Sequence, residues 1–173
     1  MKQSMNRKQY YVEGECEKKL IKTLIAQNLV IPGQIDVLNP VQEHIKSTHL
    51  RKLPSKTTVI LIFDTDISNT DILTANLRFL SSFTNIREII TIPQVRNLEE
   101  ELVRCTDIPD LRRIRDLINC EHSSTFKTAF IEEKRLYEKL QAHHFSLELL
   151  WSETPDICFT RIGIRNQGGL IKL

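Results

Sequence analysis

Acidic side chains follow three of the predicted strands at the points where those strands end. Glu13 comes directly after a short aromatic strand, Asp64 and Asp66 follow the apolar run of residues 59–63, and Glu99 follows the fourth strand after a short loop. Side chains alternate along an extended segment, so Asp64 and Asp66 point to the same side. If the first and third strands are neighbours, Glu13 lies near both aspartates, and crowded carboxylates of this kind need a cation such as Mg²⁺.

Each of these acids also has a structural explanation. Glu15 and Glu17 fall in the first turn of a predicted helix, where the helix dipole favours negative charge, and residues 99–101 would fit the same description. Asp64 and Asp66 fit it less well, because charges beside a buried strand destabilise a fold unless something binds them. A glycine at position 14 permits a tight turn and a close approach by a ligand after the strand.

The elements that would position these acids alternate between strands and helices. Strands are predicted at residues 10–12, 34–38, 57–63, 87–92 and 147–151. Helices are predicted at residues 15–28 and 41–50 and from Pro109 to Ile118. One further helix would begin after a cap at Asn69 or Thr70 and another after a cap at Asn97, and a long helix would run from Ser124 or Thr125 to about His143. This order predicts an α/β fold with a mainly parallel central sheet and helices on both faces. Its ligand site would lie beyond the carboxyl ends of the strands.

The composition excludes several classes of protein. The chain has 173 residues, a length typical of one domain, with 24 Lys and Arg against 22 Asp and Glu, which argues against a strongly basic nucleic-acid coat. No apolar run approaches the roughly 20 residues of a membrane span. Residues 1–8 lack the apolar segment of a secretory signal, and the four cysteines include no Cys-x-x-Cys pair. These features predict a cytoplasmic protein with no membrane partner and no zinc ribbon.

Two segments together resemble a known family. The sequence YYVEGECE at residues 10–17, followed by ILIFDTD at residues 60–66, resembles the two signature motifs of the Toprim domain. That family has a Rossmann-like α/β domain with a parallel sheet, and it binds Mg²⁺ or Mn²⁺. The resemblance implies that Glu13 is a general acid or base or a metal ligand, and that Asp64 and Asp66 are metal ligands. It covers residues 8–103, which leaves residues 104–173 as a helical and strand extension of a single domain.

A third segment narrows the resemblance. The sequence NLEEEL at residues 97–102 is similar to a segment that follows the same strand in OLD-like and RloB-like Toprim nucleases. There the first Glu belongs to a second metal site, which points to Glu99, and a downstream basic residue takes part, for which Lys127 is the candidate. For Lys127 alone, an exposed helix face is the competing explanation. No Walker-type phosphate loop is found, so the resemblance implies a stand-alone nuclease like those encoded beside a separate ATPase in phage defence.

The function expected from these observations is metal-dependent cleavage of phosphodiester bonds. Two alternatives remain open: a non-catalytic Toprim-like subunit that docks on an ATPase, and a small ribonuclease of RNA maturation. DNA or RNA would bind through a predicted basic patch, although a solvated helix face explains the same arginines. The patch comprises Arg104, Arg112, Arg113 and Arg115. The His143 and His144 pair is interpreted as a partner of a helix C-terminal dipole, and Trp151 as a packing residue.

Overall fold

Four parallel strands form the centre of the fold, in the order β2-β1-β3-β4. The computed structural model describes residues 7–120 and 124–173. The strands are β1 (Lys8–Val12), β2 (Gln34–Val37), β3 (Thr57–Asp64) and β4 (Ile86–Gln94). Strand β1 lies between β2 and β3, and Tyr11 is in register with Asp36 on one side and with Leu61 on the other. The structure confirms the predicted α/β class and four of the five predicted strands.

Helices flank both faces of the sheet. They are α1 (Glu15–Ala26), α2 (Ser47–Leu50), α3 (Asp71–Ser81), α4 (Leu98–Arg104), α5 (Phe126–Glu132), α6 (Leu136–Ala142) and α7 (Ile157–Arg161). Two 3₁₀ helices, Leu111–Ile118 and Gly168–Leu170, complete the described elements. No helix in the described part of the chain is long and apolar enough to cross a membrane. The prediction about a secretory signal concerns residues 1–8, of which 1–6 lie outside the described residues.

Strand β3 divides the core into two clusters because its side chains alternate between the faces of the sheet. Ile60 and Ile62 pack on one face against α1 and the segments that follow β4, including Phe130, Leu140 and Ile171. On the other face, a second cluster packs against α3 and α7; it contains Val59, Leu61, Phe63, Leu73, Leu80 and Phe159. Seven consecutive strand residues, 57–63, are therefore buried, as expected for a strand covered on both sides.

The helix predicted at residues 41–50 is largely wrong, since only its last turn, Ser47–Leu50, is helical. The side chain of Asn39 accepts hydrogen bonds from the amides of Val41 and Gln42, and the side chain of Asn76 accepts one from the amide of Ile45. The amides of Val41 and Gln42 would have no carbonyl partner in a helix that begins at residue 41, so Asn39 satisfies them as a cap does. The amide of Ile45 would pair with a helical carbonyl group, and Asn76 takes that place instead. The crossover from β2 to β3 is consequently mostly irregular.

The long helix predicted to end near His143 is interrupted. Helix α5 ends at Glu132 and α6 begins at Leu136, because Glu133 takes an extended conformation with ψ 114°. The carboxylate of Glu133 accepts a hydrogen bond from the amide of Arg135, which stabilises the break. The pattern of apolar residues continues through residues 133–135, so the sequence pattern does not predict the break.

The fifth strand predicted at residues 147–151 is also wrong, because this segment forms turns. The exposed edge of β4 is covered by a different segment: the Gln167 amide donates to the Thr91 carbonyl at 3.0 Å, and the Thr91 amide donates to the Gln167 side chain. Among residues 104–120 and 124–173, strand-like pairing is limited to an isolated bridge between Lys172 and Val30. Trp151 itself is buried, which confirms its role in packing.

The chain near residue 170 is docked against the rest of the fold. The carbonyl of Ile171 accepts a hydrogen bond from the amide of Ile31, and the amide of Leu173 donates to the carbonyl of Leu29. Ile171 is fully buried in the first core cluster. The C-terminal segment therefore belongs to the packed structure.

Gly33 is expected to be sensitive to the smallest substitution. A Cβ atom at this position would lie 2.7 Å from the Lys8 carbonyl oxygen and 2.8 Å from a Tyr10 ring atom, so Gly33→Ala would force β2 away from β1. We expect the free energy of unfolding to fall by about 1–3 kcal/mol in urea denaturation. Gly169→Ala is the matched control, because nothing lies within 4 Å of its Cβ position, and an equal loss in both variants would contradict the packing argument.

Candidate functional site

The predicted acids meet at the carboxyl ends of β1 and β3. The Glu13 amide donates to the Ile62 carbonyl at 3.2 Å, and the Glu13 carboxylate accepts a hydrogen bond from the Asp64 amide at 2.8 Å. The two acids come together because β1 and β3 are parallel neighbours, so their exits share one edge of the sheet. Asp66, two residues further, is exposed at the same edge. We call Glu13, Glu17, Asp64, Asp66 and Glu99 the acid cluster.

Asp64 is the least satisfied member of the acid cluster. Its Oδ1 atom is buried and has no hydrogen-bond partner within the part of the chain that the structure describes. Burial, together with the negative charges of Glu13, Glu17 and the other cluster acids, raises the pKa of Asp64 to about 9. A carboxylate oxygen in this position lacks the donor that buried polar atoms ordinarily have, and this is what a cation would supply.

Glu13 is held by several partners at once. Burial raises its pKa, and the charge of Asp66 acts in the same direction, whereas the Asp64 amide, the Asn39 side chain and Lys127 lower it. The net effect is a raised pKa, which brings a carboxylate closer to the range that suits a general base.

Glu17 belongs to the acid cluster, although its position in the first turn of a predicted helix indicated only a favourable interaction with the helix dipole. It is 7% exposed, and burial raises its pKa, with further contributions from Glu13 and Glu99. A signal was present in the sequence, because Glu17 occupies the same helical stripe as Leu20, Ile21 and Leu24. A charged residue on the apolar stripe of a helix is unusual and points towards a site.

Glu99 and Lys127 reach the acid cluster from the helices that follow it. The Lys127 ammonium lies 3.9 Å from the Glu99 carboxylate, and it is the more exposed of the two side chains, at 72% against 22%. The pKa of Lys127 is raised, mainly by the negative charge of Glu99. Burial acts in the opposite direction, whereas the charges of Glu17 and Asp64 raise the pKa further. Asn97 caps α4 through the Glu100 amide, as predicted, and thereby fixes the first turn that carries Glu99.

Helix α5 brings Lys127 to this edge by packing near α1. The thiol of Cys16 in α1 donates to the carbonyl of Lys127 over 3.8 Å. Burial and the neighbouring acids raise the pKa of Cys16 to about 12, so the thiol remains protonated and acts as a packing group. Lys127 is thus the one predicted basic residue that the structure places beside the cluster.

Gly14 separates Glu13 from α1 in an extended conformation, with φ −149°, which any residue adopts. The chain bends at residues 13 and 14, as predicted, but this backbone does not require a glycine. Its space does matter, because a Cβ atom would lie 3.0 Å from a carboxylate oxygen of Glu17. A side chain at position 14 would thus crowd the acid cluster.

The donor set suits a hard divalent cation, since it consists of carboxylate oxygens and includes one buried oxygen without a partner. Across residues 7–120 and 124–173, however, no three His, Cys, Asp or Glu side chains are arranged closely enough to form a complete metal site. The acids converge on one edge of the sheet without forming a closed ligand shell. Any cation there would need further ligands, which for Mg²⁺ include water.

The four arginines of the predicted basic patch are mostly engaged within the chain. Arg104 lies 2.7 Å from the buried carboxylate of Glu101 and donates to the Val95 carbonyl. Arg113 pairs with Asp116, and Arg115 donates to the carbonyl of Ser124. Arg112 is exposed. Arg104 therefore has a structural role, and the patch that remains is carried by the 3₁₀ helix Leu111–Ile118.

The two adjacent histidines share one acid. His143 and His144 each lie 2.8 Å from a different carboxylate oxygen of Asp107, and His143 also contacts the Asp116 carbonyl. These hydrogen bonds lower the pKa of Asp107. His143 does cap the end of α6, but the observed partners of the pair are the Asp107 carboxylate and a carbonyl group of the 3₁₀ helix Leu111–Ile118.

Comparison with known proteins gives no match to a protein family, a curated protein or a solved structure.

The stability of the metal-free protein should fall as pH rises through the neutral range. The unfolded chain releases the Asp64 proton above about pH 4, whereas the folded chain holds it up to about pH 9. The folded state thus binds more protons in this window, and stability decreases with rising pH. Urea denaturation in EDTA between about pH 5 and pH 8 should show a flatter slope for Asp64→Asn than for the wild type. Identical slopes would contradict the raised pKa.

Proposed function

We propose that this chain is a metal-dependent nuclease that cleaves phosphodiester bonds at the acid cluster. The observation that carries the proposal is the buried, unpartnered oxygen of Asp64 among carboxylates at the exits of two neighbouring parallel strands. Such an arrangement destabilises the protein alone and becomes favourable when a cation binds. The resemblance of residues 10–17 and 60–66 to the Toprim motifs supports the same conclusion.

The residues that would hold Mg²⁺ or Mn²⁺ are the acids of the cluster. Asp64 and Asp66 would bind one ion, and Glu99, with the buried Glu17 beside it, would help to bind a second. Bound ions of this kind stabilise negative charge on the attacking and leaving oxygens of a phosphoryl group.

Glu13 and Lys127 would act on the reacting groups. One carboxylate oxygen of Glu13 is fixed by the Asp64 amide, so the side chain is held in place to orient or deprotonate a water molecule. The Lys127 ammonium is mostly exposed and faces the acids, which suits the stabilisation of charge on a scissile phosphate. Its exposed position also lets it move towards a substrate without a large loss of packing.

The wider setting of the proposed nuclease follows from the resemblance. The substrate would be DNA or RNA, and Arg112 would be available to contact its phosphate backbone. The partner would be a separate ATPase in a phage-defence system, and the protein would act in the cytoplasm. The alternatives are a non-catalytic binding subunit that docks on the ATPase, and a ribonuclease of RNA maturation. Cleavage assays separate the three, because the subunit cleaves nothing and the ribonuclease cleaves RNA alone.

The decisive experiment measures cleavage of single- and double-stranded DNA and of RNA in parallel, with Mg²⁺, Mn²⁺ or EDTA. We expect cleavage that requires a divalent ion and is lost in Asp64→Ala, because this variant removes the central ligand. Asp156→Ala removes the same side chain from an exposed position at the start of α7, and it should cleave normally. Unchanged cleavage by Asp64→Ala would overturn the assignment of the site.

A further inference from the structure

A second concave site lies beside β2. A cleft of about 890 Å³ is lined by residues of β1 and β2, by residues 31–33 and by residues 49–57, and it shares none of them with the acid cluster. It exists because the crossover between β2 and β3 forms only the single turn α2 and leaves β2 largely uncovered, with Gln34, Asp36 and Val37 exposed. Its volume falls within the range of small-molecule sites.

The cleft contains a tyrosine hydroxyl that is accessible to a ligand. Tyr11 lines the cleft with a ring that is almost fully buried, while its hydroxyl reaches the cleft and forms no hydrogen bond to the described chain. The neighbouring Tyr10 hydroxyl, by contrast, donates to the Ile31 carbonyl at 2.6 Å. A tyrosine presents an apolar ring and a polar tip, so the Tyr11 hydroxyl can form a hydrogen bond with a ligand in the cleft. Burial, and to a smaller extent the negative charge of Asp36, raise the pKa of Tyr11 to about 12, so the hydroxyl is protonated at neutral pH.

Asp36 adds an acceptor next to this hydroxyl. Its Oδ2 atom accepts a hydrogen bond from the Gln9 side chain at 3.0 Å, and the residue is otherwise exposed on β2. The bond to Gln9, which is itself buried, fixes the carboxylate at the cleft. A donor group of a ligand, such as a sugar hydroxyl or a base N–H, would complete it.

Two cations line the same cleft. Arg7 and Lys52 are both exposed lining residues, and neither forms an ion pair with any residue of the described ranges. Lys8 also lines the cleft, but its ammonium is directed away from β2, because it donates a hydrogen bond to Thr58 on β3 at 3.1 Å. The remaining lining includes the apolar groups Leu53 and Pro54. The cleft thus combines positive charge, one acceptor, one donor and an apolar wall.

We propose that this cleft binds a nucleotide, with its phosphate at Arg7 and Lys52 and its nucleoside hydrogen-bonded to Tyr11 and Asp36. An inorganic anion would use the cations and leave the apolar wall and the hydroxyl without contacts. An acidic peptide added to the edge of β2 would lie beyond β2, whereas Tyr11 belongs to β1. The proposal is independent of the nuclease activity, because none of its residues belongs to the acid cluster.

Calorimetric titration of the full chain with AMP, GMP, CMP and UMP tests the proposal. The titrations are made in EDTA, so that metal-dependent binding at the acid cluster does not contribute. We expect at least one nucleotide to bind. Tyr11→Phe keeps the ring and removes one hydrogen bond, so this variant should bind that nucleotide about tenfold more weakly. Lys52→Ala should weaken binding and reduce its dependence on salt. Tyr137→Phe and the exposed Lys22→Ala serve as matched controls and should bind as the wild type does.

Three results would overturn the nucleotide site. They are the absence of binding at millimolar nucleotide, binding of inorganic phosphate as tight as that of every nucleotide, and equal losses in the control variants. Displacement of bound nucleotide by an acidic peptide with a higher affinity would assign the cleft to a protein partner instead. Persistence of nucleotide binding in Asp64→Ala would support the proposal, because it shows that the acid cluster is not the site.

Discussion

Glu13→Gln should lose most phosphodiester cleavage while it still binds at least one divalent ion. Glutamine keeps the length of the side chain and can still accept the hydrogen bond from the Asp64 amide, but it cannot take a proton from water. Loss of a general base typically lowers the rate by about 10²–10⁴-fold. Asp64 and Asp66 remain in this variant, so Mn²⁺ binding measured by calorimetry should persist. Glu13→Asp shortens the reach and should also be strongly impaired.

Glu15→Gln is the matched control for this experiment. Glu15 lies two residues away at the start of α1, is exposed, and pairs with Lys18 at 3.1 Å, so its charge should not matter for cleavage. Full cleavage by Glu13→Gln would mean that Glu13 is no more than an acid at a helix start. The non-catalytic binding subunit would then become the preferred interpretation.

Glu101→Ala should be the most destabilising single change considered for this chain. Glu101 is fully buried, and its two carboxylate oxygens accept hydrogen bonds from the amides of Val95 and Trp151 and pair with Arg104 at 2.7 Å. Its removal leaves a partly buried guanidinium and two amides without their acceptor. Breaking a buried pair in this way lowers the free energy of unfolding by about 3–5 kcal/mol, which urea denaturation would measure.

Glu100→Ala tests whether the effect comes from burial. Glu100 is adjacent and also faces Arg104, but at 3.9 Å and with 24% of its side chain exposed. We expect a loss of at most about 1 kcal/mol for such a surface pair. Similar losses in the two variants would show that the hydrogen bonds of Glu101 to the amides of Val95 and Trp151 contribute little.

The sheet could be predicted from the sequence because its signals are local. The apolar run of β3 and the aromatic segment of β1 favour strands in any context, and short strands alternating with helices favour parallel pairing. Two of the errors arise where a distant side chain decides the local structure. Asn76 accepts a hydrogen bond from the amide of Ile45 in the failed helix, and the edge that a fifth strand would need is covered by Gln167.

The acid cluster could be predicted in part for the same reason. The approach of Glu13 to Asp64 follows from the parallel order of β1 and β3, which the sequence suggests. The triplet of acids at residues 99–101 shows what sequence alone cannot decide. Glu99 faces the cluster, while Glu101 is a buried structural partner of Arg104, and only the packing of α4 distinguishes them.

The topology of the sheet also determines how the chain must fold. The four described strands pair in parallel, so no two paired strands among them are joined by a tight turn, and contacts such as that of Lys8 with Thr58 span 50 residues. The entropy of closing these long loops is lost before the contacts form, which slows folding relative to helical proteins. Strand β3 pairs with both β1 and β4, so its docking creates the central pairings of the sheet and brings Asp64 to Glu13.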